Sequence, residues 1–361
     1  MNNYFVNLFV TDQCNFNCRY CYEKDENTRK GNMDQETADE VIDFIKNTIQ
    51  PDQQLIITFH GGEPLLRFSL ITYIIDKIRK EIHNDSVFGI TTNGSLLNEK
   101  TAQYLAENMT YKLSISLDGD EKTQSFNRPS TSHYTSFNDI LKYACIMREK
   151  NELFTIRMTY DRHNINDLYN NIKFFIDKGF DRIIAEADFM SQEWEQEDFD
   201  VIYDQLMQTN LYISSINNRC ITVYPANSPD VCLNKCNAGH DYYSISTSGK
   251  IYPCTVVINN DNFCLGDVKN GIDTATLSKI DEITSKETEG CSDCTHKKYC
   301  NAYRCFFLNY ASMGHVYSAN LVMCNMVNVK RLIDKKCCIK NEYHNNFEQQ
   351  LSNNKYEEKI L

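Results

Sequence analysis

Six short apolar runs recur along the first 200 residues, and each is bounded by polar or turn-forming residues. They span residues 4–10, 55–59, 87–91, 112–117, 154–158 and 182–185. Runs of this length that are rich in Val, Ile, Leu and Phe are typical of strands buried on both faces. The pattern therefore predicts six strands of one buried, parallel sheet.

Amphipathic helical patterns lie between these runs. Apolar residues recur there at i, i+3, i+4 and i+7, with polar residues between them. The sets are Ala38, Val41, Ile42 and Ile45; Ile71, Ile74, Ile75, Ile78 and Ile82; and Leu168, Ile172, Phe175 and Ile176. The alternation predicts an α/β fold with right-handed crossovers. A partial (β/α)6 TIM-like barrel and a doubly wound sheet both fit, and either places functional residues at the carboxyl ends of the strands.

The 361-residue chain is acidic, with 37 Lys and Arg against 49 Asp and Glu and a formal net charge of −12. Such a chain is not expected to bind nucleic acid. No run of 18 apolar residues predicts a transmembrane helix, and the first residues lack the basic region and small-residue cleavage site of a secretory signal. The expected setting is the cytoplasm, without attachment to a membrane.

The chain contains 16 cysteines, and they are unevenly spread. Three lie within the first 21 residues, one follows before residue 220, and twelve lie from Cys220 onward. In a reducing cytosol, clustered cysteines hold metals or do chemistry more often than they form disulfides. The asymmetry predicts a Cys-rich second domain.

Cys14, Cys18 and Cys21 follow the first predicted strand with the spacing C-x3-C-x2-C. Three thiolates on one loop can bind one face of a four-iron cluster and leave the fourth iron open for a substrate. A structural zinc site is the alternative, but zinc needs a fourth ligand, and no Cys or His follows Cys21 before His60. The spacing therefore favours an iron–sulfur cluster.

With Tyr20 before the third cysteine, this loop resembles the C-x3-C-x-aromatic-C signature of the radical S-adenosylmethionine (SAM) enzymes. The resemblance implies the partial barrel and a 4Fe–4S cluster whose open iron chelates the amino and carboxylate groups of SAM. Reduction of SAM would then yield methionine and a 5′-deoxyadenosyl radical, which removes hydrogen from an unactivated C–H bond. The cofactor does this chemistry, and the protein positions and shields it.

Further motifs that resemble this family follow the next three strands. They are residues 60–64 (HGGEP), 92–94 (TNG) and 116–119 (SLDG), and Arg128 lies beyond them. The resemblance implies that Glu63 or nearby backbone carbonyls meet the methionyl ammonium of SAM. Ser116 would bind the ribose or carboxylate, Arg128 would pair with the carboxylate, and Tyr20 would hold the adenine edge through its backbone. The expected cofactor-binding residues are Tyr20, Gly61, Gly62, Glu63, Asn93, Ser116 and Arg128.

Eight of the later cysteines are spaced for two more clusters. They include Cys236, Cys254 at the end of a short strand pattern, and a C-x2-C-x5-C-x4-C run that starts at Cys291. Eight thiolates suffice for two fully ligated four-iron clusters. A zinc ribbon needs two C-x2-C knuckles, whereas this stretch offers only Cys291 and Cys294.

This region resembles the SPASM domain, an auxiliary-cluster extension of radical enzymes that modify peptides and proteins. The implied ligands are Cys232, Cys236, Cys254 and Cys305 for an inner cluster, and Cys291, Cys294, Cys300 and Cys324 for an outer one. Cys220 is the alternative to Cys232, and without either a substrate thiolate would complete the inner site. The chain departs from the family pattern where four residues, rather than three, separate Cys300 from Cys305.

The expected domains are the barrel at residues 1–215, the auxiliary-cluster domain at 216–335 and a polar tail at 336–361. The expected cofactors are SAM and three 4Fe–4S clusters, one that binds SAM and two auxiliary ones. Cys145 lies on the apolar face of a helical pattern and is expected to pack in the core.

The resemblance implies an enzyme that acts on a ribosomally made peptide, and we expect thioether cross-links between cysteine sulfur and carbon. The alternatives are carbon–carbon or carbon–oxygen cross-linking, epimerisation, and sulfatase maturation to formylglycine. Sulfatase-maturing enzymes place an Asp directly after the inner-cluster cysteine, where this chain has Thr255. A ferredoxin-like carrier or a zinc-stabilised binding module would not explain cysteines divided between a barrel loop and a distal domain.

The expected partners are a Cys-rich precursor peptide and an external electron donor such as flavodoxin or ferredoxin. Because the first strand begins at Tyr4, we expect either a separate leader-binding protein or direct capture of the peptide by the barrel mouth and auxiliary domain. Near the end of the sixth strand, Glu186, Asp188 and Glu193 either attract a basic peptide or form a solvated acidic loop.

Overall fold

The structure is a computed structural model that describes residues 2–23, 31–130, 136–217, 219–228 and 236–337. Its strands form one sheet in the order β11-β10-β9-β8-β1-β2-β3-β4-β5-β6-β7. They are β1 Asn2–Thr11, β2 Gln53–Gly61, β3 Ser86–Thr92, β4 Lys112–Ser116, β5 Phe154–Tyr160, β6 Arg182–Ala187, β7 Thr222–Tyr224, β8 Tyr242–Ile245, β9 Lys250–Tyr252, β10 Gly266–Asp267 and β11 Gly271–Ile272.

The eight strands from β8 to β7 in this order are all parallel to one another. The six predicted strands are confirmed as β1–β6, and the α/β fold with a partial parallel barrel is confirmed with them. The sequence analysis missed β7 and β8, which have three and four residues. Strands this short carry too little periodicity to be distinguished from loops.

The helices are α1 Gln35–Thr48, α2 Phe68–Glu81, α3 Glu99–Asn108, α4 Glu121–Asn127, α5 Phe137–Lys150, α6 Leu168–Asp177, α7 Gln196–Ser215, α8 Thr274–Ser285, α9 Asn301–Arg304, α10 Phe306–Met313 and α11 Leu321–Cys337. The three predicted apolar stripes belong to α1, α2 and α6, where they are buried against the sheet. Asp34, Asn98 and Asp120 cap α1, α3 and α4 by accepting hydrogen bonds from backbone N–H groups of the first turn.

The two faces of the barrel strands differ. On β1, Val6 and Leu8 join the main core under the helices, whereas Phe5 belongs to a separate apolar cluster on the other face. Because side chains alternate along a strand, Asn7 shares the inner face with Phe5. The inner face encloses a lumen whose carboxyl end lies at the loops that follow the strands.

The C-terminal part extends the sheet beyond β8 with the antiparallel strands β9, β10 and β11. Short helices follow, and α11 packs against α7. The helix α7 ends at Ser215, but β7 rejoins the barrel sheet at Thr222. The division of domains at residue 215 stays a prediction. None of the helices within the described residues combines the length and apolar character needed to cross a membrane.

Candidate cofactor site at the carboxyl end of the barrel

The loop after β1 carries the first three cysteines. Cys14, Cys18 and Cys21 are all half-buried and lie within electrostatic reach of one another. The backbone N–H of Phe16 donates to Cys14 Sγ at 3.4 Å, so the loop already supplies one hydrogen bond to a prospective thiolate. Burial raises the pKa of the Cys14 thiol to about 12, so iron would have to displace its proton.

The Gly-Gly turn after β2 packs directly against this loop. Gly62 N donates to Thr11 O at 3.1 Å, and Glu63 N donates to Gln13 O at 2.8 Å. Gly61 has φ +125°, and a Cβ there would lie 1.8 Å from Thr11 O; a Cβ on Gly62 would lie 2.4 Å from Gln13 O. Glycine is therefore required at both positions, because the two loops meet backbone to backbone.

Glu63 is buried between the ends of β2 and β3. It is 1% exposed, and burial raises the pKa of its carboxyl group. Its carboxylate accepts hydrogen bonds from Leu65 N at 3.0 Å, Thr92 Oγ1 at 2.7 Å and Asn93 N at 2.7 Å. Glu63 thus ties the end of β2 to the end of β3, and a contact of its carboxylate or of nearby backbone carbonyls with SAM stays a prediction.

Asn93 connects the end of β3 to the cysteine loop. Its Nδ2 donates to Asn15 Oδ1 at 2.9 Å and lies 4.0 Å from Cys14 Sγ. Its Oδ1 accepts from Ser95 N at 2.9 Å and Ser95 Oγ at 2.6 Å. These buried contacts help to orient Cys14, so Asn93 supports the cysteine loop.

Asp118 is a central residue that the sequence analysis did not single out. Its buried carboxylate accepts from Arg128 Nε at 3.0 Å and Nη2 at 2.9 Å, from Thr159 N at 2.9 Å, and from Tyr20 Oη. Asn127 Nδ2 donates to it at 3.1 Å. Arg128, expected to meet the SAM carboxylate, is held in a bidentate pair with this aspartate.

Ser116 ends β4, and its side chain is half-buried. Within the described residues its hydroxyl has no hydrogen-bond partner, while its carbonyl accepts from Gln124 Nε2 at 3.4 Å. The structure therefore gathers the seven expected cofactor-binding residues around the cysteine loop, at the ends of β1, β2, β3 and β4. Of these, Ser116 is the one whose hydroxyl is open to a ligand.

Comparison with known proteins agrees with this geometry. Residues 8–185 match the family model described as the radical SAM superfamily. An uncharacterised protein of Methanocaldococcus jannaschii is 31% identical over 290 residues, which cover 77% of this chain and 92% of that protein. The chain belongs to the radical SAM superfamily.

Two other relatives have named activities. The radical SAM cyclopropyl synthase TigE of Paramaledivibacter caminithermalis is 24% identical, over 69% of this chain and 57% of its own length. The cysteine-type anaerobic sulfatase-maturating enzyme of Clostridium perfringens strain 13 is 23% identical, over 80% of this chain and 84% of its own length.

Two solved structures share the fold. The structure of anSMEcpe with bound AdoMet and Cp18Cys peptide gives a TM-score of 0.75 at 17% identity, covering 93% of this chain and 98% of that one. Streptococcus suis SuiB bound to precursor peptide SuiA gives 0.62 at 16% identity, covering 90% and 76%. At these identities the likeness concerns the fold alone.

The site fits the cofactors of the radical SAM superfamily. Its donor set is three thiols on one loop, with the Gly61–Gly62 backbone pressed against them. No three His, Cys, Asp or Glu side chains in the described ranges converge on a single metal ion. Three thiols that share a loop without converging on one point suit a 4Fe–4S cluster, because each thiolate binds a different iron. Cys14, Cys18 and Cys21 would hold the cluster, which supplies the electron that cleaves SAM.

The described cysteines of the C-terminal region form two groups. Cys236, Cys254 and Cys305 are electrostatic neighbours. Burial raises the pKa of the Cys254 thiol to about 11 and that of the Cys305 thiol to about 12. Cys291, Cys294, Cys300 and Cys324 neighbour one another separately. These are the groups that the resemblance to the SPASM domain implies, except that Cys232 lies outside the described residues.

Cys220, the alternative to Cys232, lies elsewhere. Its thiol is exposed and neighbours Arg182, at the first residue of β6. By contrast, the electrostatic neighbours of Cys254 include Tyr22, the residue after Cys21, and Tyr242 on β8. The inner group therefore lies beside the barrel and the first cysteine loop. Cys145 lies on α5 and packs against the main core, as expected.

Proposed function

We propose that this protein is a radical SAM peptide maturase with two auxiliary 4Fe–4S clusters, and that it forms thioether cross-links. The carrying observation is the separation of the C-terminal cysteines into an inner group beside the barrel and an outer group of four. Simple SAM cleavage requires only the barrel site. Two further groups of thiols supply ligands for an electron relay, which an oxidative bond-forming reaction needs.

The inner group supports the thioether reading. Cys236, Cys254 and Cys305 provide three thiolates, and the fourth ligand is either Cys232 or a thiolate of the substrate. Cys220 is disfavoured because its thiol neighbours Arg182. A substrate cysteine bound at this site would be held next to the lumen, where its sulfur can meet a carbon radical on the same peptide.

Electrons and protons balance in this reaction. One electron from an external donor such as flavodoxin or ferredoxin enters for SAM cleavage, and the peptide carbon loses a hydrogen atom to 5′-deoxyadenosyl. The carbon–sulfur bond then forms as the cysteine loses its proton and one electron leaves. We assign that electron to the inner group, from which it passes to the outer group. The peptide loses two hydrogen atoms for each cross-link.

Sulfatase maturation is the second candidate, because the Clostridium perfringens sulfatase-maturating enzyme aligns with 80% of this chain. Thr255 argues against it. It follows Cys254 at the position where sulfatase-maturing enzymes place an Asp as general base. A threonine hydroxyl cannot act as a general base as a carboxylate does. Cyclopropane formation, carbon–carbon or carbon–oxygen cross-linking and epimerisation remain as alternative outcomes of the same radical.

The experiment begins with iron, sulfide and zinc per chain after anaerobic reconstitution. About twelve iron is expected from three four-iron clusters, and a Cys14→Ala, Cys18→Ala, Cys21→Ala triple variant should lose about a third of it. About four iron in the wild type, or zinc in the distal site, would overturn the two-cluster assignment. Turnover of a genomically neighbouring Cys-rich precursor, with and without its leader, should then give a peptide lacking two hydrogens per thioether. A product in which a cysteine has been converted to formylglycine would instead support sulfatase maturation.

A further inference from the structure

The lumen has layers that the strand register defines, and its base is apolar. Phe5, Ile56 and Val87 are successive register partners on β1, β2 and β3, and they pack with Tyr111 and Tyr242. Phe5 stacks on Tyr242 with ring centroids 5.0 Å apart. We call these five residues the apolar floor. It lies toward the amino ends of the strands, away from the first cysteine loop.

The layer above the apolar floor is polar. Ser244, Asn7, Thr58, Gly89 and Lys112 are successive register partners on β8, β1, β2, β3 and β4. Each lies two residues beyond a floor position or pairs with one that does, so all face the lumen. Interiors of such barrels are ordinarily filled by bulky branched side chains. We call these five residues the polar layer.

The polar layer leaves hydrogen-bonding capacity unused. A Cβ on Gly89 would lie 3.0 Å from Lys112 Cβ and 3.1 Å from Thr58 Cγ2, so only glycine leaves room beside the lysine stem. Ser244 and Ser114, the latter two residues beyond Lys112, are fully buried. Among the described residues neither hydroxyl has a hydrogen-bond partner. Buried hydroxyls without partners are costly unless a ligand or water satisfies them.

Lys112 is the basic group of the polar layer; burial, together with the Arg157 charge, lowers the pKa of its ammonium group to about 7, so a carboxylate beside it would favour the charged form. It makes no hydrogen bond or ion pair with any residue that the structure describes. The two charged groups nearest to it neutralise each other, because Arg157 on β5 pairs with Glu186 on β6. Burial lowers the pKa of His60 to about 3, so its imidazole stays neutral and adds no second positive charge beside the lysine.

The pairing of Glu186 also changes the picture of the acidic segment after β6. Glu193 pairs with His163 at 2.9 Å, and Asp188 accepts from Met190 N at 3.0 Å. Glu186 is therefore not free to attract a basic peptide, and the interior favours an anion instead.

We propose that the polar layer is a specificity pocket for a carboxylate of the peptide substrate, with Lys112 as its ion-pair partner and the hydroxyl of Ser114, two residues beyond Lys112 on the same face of β4, as a donor. This inference rests on the proposed peptide maturase function. Thr58 lies three residues before Gly61, about 10 Å along an extended strand. A peptide at the first cysteine site can therefore reach the pocket with an Asp or Glu side chain or with its C-terminal carboxylate.

The test measures binding to the anaerobically reconstituted full chain with SAM present. The probes are acetylated, amidated pentaglycine peptides whose central residue is Asp, Glu, Asn or Gln, and an acetylated pentaglycine with a free C-terminus. Calorimetry should show at least about tenfold tighter binding of carboxylate over amide probes, the range of a charge-assisted hydrogen bond. The preferred carboxylate probe distinguishes a side chain from a C-terminus as the natural source.

Lys112→Met should erase this preference and Lys112→Arg should keep it. Lys100→Met, at an exposed position of α3, is the matched control and should bind like the wild type. Equal or unmeasurable binding of carboxylate and amide probes by the wild type overturns the pocket, as does a preference that survives Lys112→Met. Iron content and 5′-deoxyadenosine formation are measured on the same samples. If these are absent in the wild type, the proposed function fails; if they are present without carboxylate preference, only the pocket fails.

Discussion

The two cysteine-bearing regions of this protein are held in place by different kinds of structure. The first cysteine loop follows a ten-residue strand of a parallel sheet, and the Gly61–Gly62 turn and the Glu63 and Asp118 networks hold it from below. The outer group lies on turns and on short helices such as the four-residue α9. Its buried apolar neighbours form a separate small cluster around Cys300, Ala302 and Met323.

This difference separates a preorganised site from a site that its cluster organises. The barrel loop is positioned by contacts that do not involve iron, so its fold does not require the cluster. Around Cys291, Cys294 and Cys300 of the outer group the chain forms only turns and helices of three and four residues, and small regions of that kind often depend on metals for stability. We therefore expect the barrel to keep its shape without its cluster, and the outer region to unfold locally when the proposed outer cluster is removed.

The largest effect is expected for Cys18→Ala. Without one of three ligands the barrel cluster cannot be retained, so formation of 5′-deoxyadenosine from SAM should fall to the level of a protein-free control. The thermal unfolding midpoint should change little, because the loop is held by the sheet. Cys145→Ala, which removes a packing thiol on α5, should leave SAM cleavage intact. Residual cleavage in Cys18→Ala would show that the loop is not the SAM-binding cluster site.

The outer region should show the opposite behaviour when iron is removed by anaerobic chelation. We expect residues 286–320 to be cut by protease at least about tenfold faster than in the loaded protein, since loss of a structural cluster removes folding free energy. The helices α1, α2 and α6 should stay protected. Peptide mapping by mass spectrometry distinguishes the two regions, and Cys294→Ala should reproduce the cleavage pattern without a chelator. Equal protection of both regions after chelation would remove the contrast.

The sequence predicted most of the barrel and the identity of the cysteine loop. The apolar runs that became β1–β6 are long enough to be unambiguous, and the four family motifs each follow a strand end. Four short strands, β7, β8, β10 and β11, were missed, and β8 pairs with β1 more than 230 residues away in the chain. Such a pairing is fixed by tertiary packing and leaves no local signal.

The direction of individual side chains was harder to predict. The resemblance implies that Glu63 or nearby backbone carbonyls meet SAM, but nothing in the sequence predicted that the Glu63 carboxylate would accept three hydrogen bonds within the protein. Asp118 was overlooked within an ordinary Asp-Gly turn, although its partner Tyr20 lies 98 residues earlier. The one available signal was an acidic residue directly after a buried strand. The polar layer around Lys112 became visible only through the register of five strands.

Removal of Asp118 should cost the most stability among single changes in the barrel. Asp118→Ala leaves the buried Arg128 guanidinium unpaired, and breaking a buried ion pair in this way costs about 3–5 kcal/mol. Urea unfolding of the variant measures it. Glu282→Ala breaks the exposed pair with Lys286 on α8 and should have no measurable effect. If the two variants unfold alike, Asp118 does not hold the site together.

A smaller effect is expected at the glycine turn. Gly61→Ala places a Cβ against Thr11 O at φ +125°, and a strained backbone of this kind costs about 2–3 kcal/mol. Gly290 is the matched control, since its φ is +72° and a Cβ there meets nothing within 4 Å. Gly290→Ala should cost about 1 kcal/mol. Only Gly61→Ala should also lower iron loading of the barrel site; equal losses in both variants would show that contact with the cysteine loop is unimportant.

The smallest effect is a pH dependence that belongs to the barrel interior. Burial, together with the Lys112 and Arg157 charges, lowers the pKa of His60 to about 3, whereas the unfolded chain titrates this imidazole near 6.5. Between these values the unfolded state binds a proton that the folded state refuses, so stability falls as pH drops below about 6.5. His60→Phe keeps an aromatic ring beside Phe9, with which His60 stacks at 5.6 Å, and removes the titration.

Wild type should therefore lose about 1 kcal/mol relative to His60→Phe between pH 6.5 and 5.5. Urea unfolding of both proteins at the two pH values gives this difference directly, because groups common to both cancel. A parallel pH dependence of the two proteins would mean that His60 is protonated in the folded state. The protonated imidazole would then add a positive charge to the lumen. The interior of the barrel would not make the protein less stable in acid.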